Sequence, residues 1–156
     1  MATLTVTVKD VGIGAALQAM AARLRDMTPV YAAIGRKLES NVNMRFDTKT
    51  DPSGRAWAPW SQATKDARAA EGRGNLLEYT GRMRDSLAYL ATATDVSIGF
   101  GVDYAQYHEQ TTPGTGHLPK RAMLFDDGKL SENDMNDAFA VAVRAFKKHL
   151  KLENTP

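Results

Sequence analysis

The chain has 156 residues, 43 % of them apolar and 24 % charged, and no cysteine. That length suits one domain, 1–156, able to bury roughly 68–70 % of its unfolded surface. The composition excludes wholesale disorder, disulfide stapling, thiolate catalysis and thiolate metal sites. Lys plus Arg is 20 and Asp plus Glu is 18, so the net charge is only +2. Residues 1–80 hold 11 basic and 8 acidic groups, residues 81–156 hold 9 and 10, too slight a tilt for a dedicated nucleic-acid domain. No apolar run is long enough to span a bilayer, and the first ten residues lack the basic and apolar regions of a signal peptide. A soluble intracellular protein without membrane contact is expected.

Thr3 to Val8 alternate β-branched and apolar residues, which predicts a strand. Asp10 can cap a helix whose stripe is Ile13, Leu17, Met20, Leu24 and Met27. Thr28-Pro29 supplies a cap and a first-turn proline for a second helix running to about Asp47, with Tyr31, Ile34, Leu38, Val42 and Phe46 on one side. Asp51 to Gly54 is a turn, and Ser61 starts a helix through about Ala70 that Gly72 and Gly74 end. A short helix is predicted over 81–87, a hairpin over 89–92 and 96–101, one or two helical turns over 103–109, and a loop over 110–119. Ala122 to Phe125 reads as a strand before the turn Asp126-Asp127-Gly128. Ser131 and Asp134 form a capping-box-like pair for a last helix, with a stripe of Met135, Phe139, Ala142, Phe146 and Leu150 expected to face the core. The fold class is α+β: three main helices packed on a small, mostly antiparallel sheet, with extended loops.

Catalytic patterns are absent. His108-Glu109 with His117 fails the zincin spacing, because the fourth residue after His108 is Thr112, just before Pro113. His108 is expected to close a short helix and hydrogen-bond locally, with His117 in a loop, so neither metal nor cofactor is expected. No Ser lies in a nucleophile elbow, and no carboxylate sits in an apolar setting that would raise its pKa. Gly72-Arg73-Gly74 and Gly114-Thr115-Gly116 are too short to cradle phosphate. Arg73, Arg82, Arg84 and Arg121 could form a basic patch, but Glu78, Asp85 and Asp103 are interleaved with them. Trp57 and Trp60 lie in a segment that Pro52, Gly54 and Pro59 restrict. A loop Trp pins its loop to the core or anchors a partner. Trp57, between Ala56 and Ala58, is the expected pin, and Trp60 the residue nearer an interface.

Four pieces in order carry a resemblance. They are Pro52-x-Gly54-x-x-Trp57-x-Pro59-Trp60-Ser61-x-x-Thr64, then Leu77-x-x-Thr80-Gly81-x-Met83-x-x-Ser86-Leu87, then Tyr104-Ala105-x-x-His108, then Leu118-Pro119-x-Arg121. Together these pieces, spanning about residues 46–125, resemble the phage virion morphogenesis family. Met83 stands where Leu is usual, and the run after His108 departs from the family's early Gly-rich turn. The resemblance implies no enzyme but a structural protein of a tailed phage or prophage. It would be a tail completion or tail terminator subunit of the neck that joins the tail to the DNA-filled head. The implied partners are further copies of the chain in a closed, hexameric ring, with head–tail connector and tail-tube proteins as neighbours. DNA is met only in passage, and assembly takes place in the bacterial host cytoplasm. The candidate subunit or partner interface is Trp57, Trp60, Arg82, Arg84 and Arg121. The competing reading is a small nucleic-acid-binding module that uses the basic stretch from Arg73 to Arg84.

Overall fold

A computed structural model describes residues 12–72, 75–109 and 118–151. The strand expected over 3–8, the cap at Asp10, His117 and most of the loop over 110–119 lie outside the described residues.

Helix α1 (Ile13–Arg25) starts at Gly12, whose φ of 86° is a left-handed conformation that glycine adopts without strain. Helix α2 (Thr28–Thr48) begins one residue earlier than its sequence signal: Thr28 is its first residue and Met27 its cap position. The Oδ1 of Asp26 accepts the Thr28 N–H at 3.1 Å, and Pro29 still falls in the first turn, where no N–H partner is needed.

Helix α2 is the spine. Its Leu38, Val42 and Phe46 are buried, and Phe46 is fully enclosed. The hairpin of β1 (Leu87–Ala91) and β2 (Val96–Phe100) packs on one flank, paired antiparallel with Leu87 opposite Phe100 and Ala91 opposite Val96. Gly35 permits that approach, since a Cβ there would lie 2.3 Å from the Tyr89 ring. Ile98 and Phe100 face the core as their alternation predicts. Helices α3 (Gln62–Ala70), α4 (Arg82–Asp85) and α5 (Gln106–Glu109) are short, and a 3-10 turn at Asp103–Ala105 leads into α5. Helix α6 (Glu132–Leu150) lies along α2. Val42, Phe46, Trp57, Met83, Leu87, Ala105, Met123 and Leu124 form the central cluster. Three main helices and a small antiparallel sheet make the α+β class that the sequence indicates.

Two expectations are corrected. Residues 122–125 form no strand. The Glu109 carboxylate accepts the N–H groups of Met123 and Leu124, both at 2.7 Å, and of Phe125 at 3.3 Å, so a side chain takes the place of a neighbouring strand. The expected stripe of α6 is also misplaced: Phe139 is 72 % and Met135 52 % exposed, whereas Asp134 is 1 % exposed. Only Leu150 of the stripe is buried, with Ala142 and Phe146 half-buried. The helix is turned by about one residue step because Arg45 and Asn41 of α2 both bond Asp134. Phe139→Ala is therefore expected to change stability by no more than about 0.5 kcal/mol in thermal melting, not by the several kcal/mol a buried ring would cost.

Candidate functional site

The loop after α2 is held by its own side chains. The Oδ1 of Asp51 accepts the N–H groups of Ser53 and Arg55, each at 2.9 Å, and the Ser53 hydroxyl at 2.7 Å. Burial opposes the charged form of Asp51, but these bonds and the Arg55 guanidinium outweigh it and hold the carboxyl below its ordinary range. Trp57 is delivered inward, 5 % exposed. Its Nε1 donates to the Ala122 carbonyl at 2.9 Å, and its ring meets Phe46 edge-on with centroids 5.6 Å apart.

Arg121 closes the knot from the other side. Its Nε and Nη2 donate to the carbonyls of Ala58 and Pro59 at 2.8 and 3.1 Å, and its backbone N–H donates to the His108 carbonyl at 2.8 Å. Burial pushes its pKa down, and among the described residues no carboxylate pairs with it. These bonds leave a cleft of about 510 Å³ to which all four motifs contribute: Trp60 and Thr64 from the first, Leu77 and Tyr79 from the second, His108 from the third, Arg121 from the last. Ser61 caps α3 at its edge, accepting the Thr64 N–H at 3.3 Å. Arg68 stacks over the Tyr79 ring, 3.7 Å from its centroid.

His108 departs from the local bonding expected of it. Its Nδ1 is enclosed with no partner among the described residues. Burial first, then the nearby Arg121 charge, pushes its pKa below the ordinary 6.5. A lowered histidine pKa stabilises the fold fully above the unfolded value and less as pH falls toward the folded one. Stability should therefore decline as pH drops below about 6.5, and His108→Gln should flatten that part of a urea-unfolding pH profile. An unchanged profile would remove His108 as its source.

Next to the cleft, Glu78 accepts from Lys49 at 3.1 Å and from Arg84 at 2.8 Å. Arg84 also pairs with Asp47 at 2.8 Å and bonds Asn43 Oδ1 at 3.2 Å. Burial opposes the Glu78 charge, but the two cations prevail and lower its pKa. The contributions of Asp51 and Glu78 are thus present above the usual carboxylate pKa and fade as pH falls below it.

The five interface candidates separate by position. Trp57 and Arg121 are buried within the chain, Arg84 is tied into the Glu78 network, Trp60 is half-buried on the cleft, and Arg82 is exposed. Sequence reasoning missed Glu109, which reads as one more acidic residue in a short helix. It also missed Asp134, which is buried although no carboxylate was expected in an apolar setting. Its capping position was legible: the Ser131 hydroxyl accepts the Asp134 N–H at 3.1 Å. Among the described residues no group of three or more His, Asp or Glu could hold a metal ion, and no helix is long and apolar enough to cross a membrane.

No curated protein and no solved structure matches the chain significantly. A model of the phage virion morphogenesis family matches residues 8–144. That span covers most of the chain and takes in the cleft together with α2, the hairpin and most of α6. The chain belongs to the phage virion morphogenesis family.

Proposed function

We propose that this chain is a ring-forming tail completion or tail terminator subunit, sited at the neck where a phage tail joins the DNA-filled head. Family membership gives it a role in virion morphogenesis. The observation that supports self-assembly is apolar surface left open to water. Leu17 and Leu24 are exposed on α1, and Met135, Phe139 and Val143 on α6. Beside the latter an apolar groove of about 430 Å³ runs between Val30, Tyr31 and Ile34 of α2 and Ala142, Val143 and Phe146 of α6. Contiguous apolar surface of this kind favours association. A ring pairs two different faces of the same chain, and α1 of one copy laid against the α2–α6 groove of the next would cover both at once. The small net charge suits a channel that lets DNA pass without gripping it. The neighbours in this reading are head–tail connector and tail-tube proteins.

A nucleic-acid module has less support, because Glu78 and Asp47 neutralise Arg84 within the proposed basic stretch. Native mass spectrometry of the purified chain should find a closed oligomer. Phe139→Glu should shift it to a monomer whose melting temperature is preserved, since that side chain is outside the core. In a phage lacking the gene, filled heads and tails should accumulate unjoined. A wild-type chain that stays monomeric, with joining intact in its absence, would overturn the reading.

A further inference from the structure

We infer that the cleft between Trp60 and Tyr79 docks an acidic peptide segment of a partner protein, with an Asp or Glu carboxylate against Arg121 and a neighbouring apolar side chain against the aromatic walls. The inference concerns a different surface from the α2–α6 groove and does not depend on ring closure.

Arg121 carries the argument. It is 5 % exposed, and its only described side-chain partners are the neutral carbonyls of Ala58 and Pro59. Enclosed cations are ordinarily paired, and the other buried arginine follows that rule: Arg45 has Asp134. Among the described residues the cleft lining holds Arg121, Arg68 and His108 but no carboxylate. The capped start of the nine-residue α3 adds the positive end of a helix dipole. A guanidinium without a counter-ion in such a setting gains most from a carboxylate, which it can bind through charge-assisted hydrogen bonds.

The walls decide the class of partner. Pro59, Trp60, Leu77, Tyr79 and Pro119 give the cleft apolar walls beside its charged floor. Its volume of about 510 Å³ accommodates a few side chains. A nucleic-acid backbone would instead meet its cations on an open, basic surface, and here the guanidinium is recessed.

The test titrates the full chain by calorimetry with the blocked peptide acetyl-Pro-Leu-Asp-Phe-amide and its Asn counterpart. The acidic peptide should bind about tenfold more tightly or better, with an affinity that falls as salt rises. Thr64→Glu places a built-in carboxylate in the cleft at the third position of α3, where Glu also completes a capping box with Ser61. This variant should melt no lower than the wild type and lose the acidic peptide. Equal affinity for the two peptides, no binding of either, or unchanged binding by Thr64→Glu would each overturn the inference. So would displacement of the peptide by oligothymidylate at lower concentration, an outcome that assigns the cleft to phosphate. Peptide binding and oligomer mass are read separately, so the two readings can fail independently.

Discussion

Trp57→Ala should lower stability by about 3–5 kcal/mol, the cost of emptying a buried aromatic site. For a chain of this size that moves the thermal midpoint down by roughly 6–20 °C. The site is at the centre of the molecule: the indole ring packs edge-on against the fully enclosed Phe46, and its Nε1 satisfies the Ala122 carbonyl on the far segment. The substitution therefore removes a core ring and a link between two loops together. Trp57→Phe retains a ring but leaves that carbonyl unpaired, which should cost about 1–3 kcal/mol. Circular dichroism melts of both variants test this. If Trp57→Ala melts with the wild type, the ring is no pin and the 51–61 loop is anchored elsewhere.

Asp134→Leu should be about as severe. Breaking a buried ion pair from one side costs about 3–5 kcal/mol, because it strands the other charge. Here it would strand Arg45, which also donates to the Met123 carbonyl at 2.7 Å, and would remove an acceptor of Asn41. Replacing both charges together behaves differently, since apolar substitutes of similar volume can be neutral or stabilising. The double variant Arg45→Met with Asp134→Leu should regain most of the loss, and a double-mutant cycle in urea reads the coupling directly. Full loss in the double variant would mean that the Met123 and Asn41 bonds, not the ion pair, hold α6 to α2.

Much of the local architecture was written in short stretches of sequence. Ser61 and Ser131 were legible as caps because a hydroxyl three residues before a free helical N–H is a local device. The hairpin was legible because Val96, Ile98 and Phe100 alternate. The four motifs also marked the cleft, since each brings one of its walls or its floor. Trp57 as an inward pin followed from its place between small residues in a restricted loop.

What failed were inferences that turned on a distant polar partner. Residues 122–125 carry strand composition, yet a carboxylate from α5 takes their N–H groups. Arg84 and Arg121 read alike as surface charge, but one is neutralised by Glu78 and Asp47 and the other is enclosed against two carbonyls. The apolar stripe of α6 looked decisive because hydrophobic periodicity normally selects the buried face.

By itself, then, the sequence determined which segments become helix, hairpin or turn, and which family's motifs the chain carries, because caps, periodicity and turn residues act over a few positions. The tertiary structure alone decided which face of α6 turns inward and which arginine has no counter-ion among the described residues. Those outcomes depend on pairs far apart in the chain, such as Asn41 with Asp134 and Arg121 with Ala58. A buried carboxylate must find its partners or suffer a desolvation penalty larger than the gain from covering one more apolar side chain. That requirement turned α6 toward Arg45 and left Phe139 facing water.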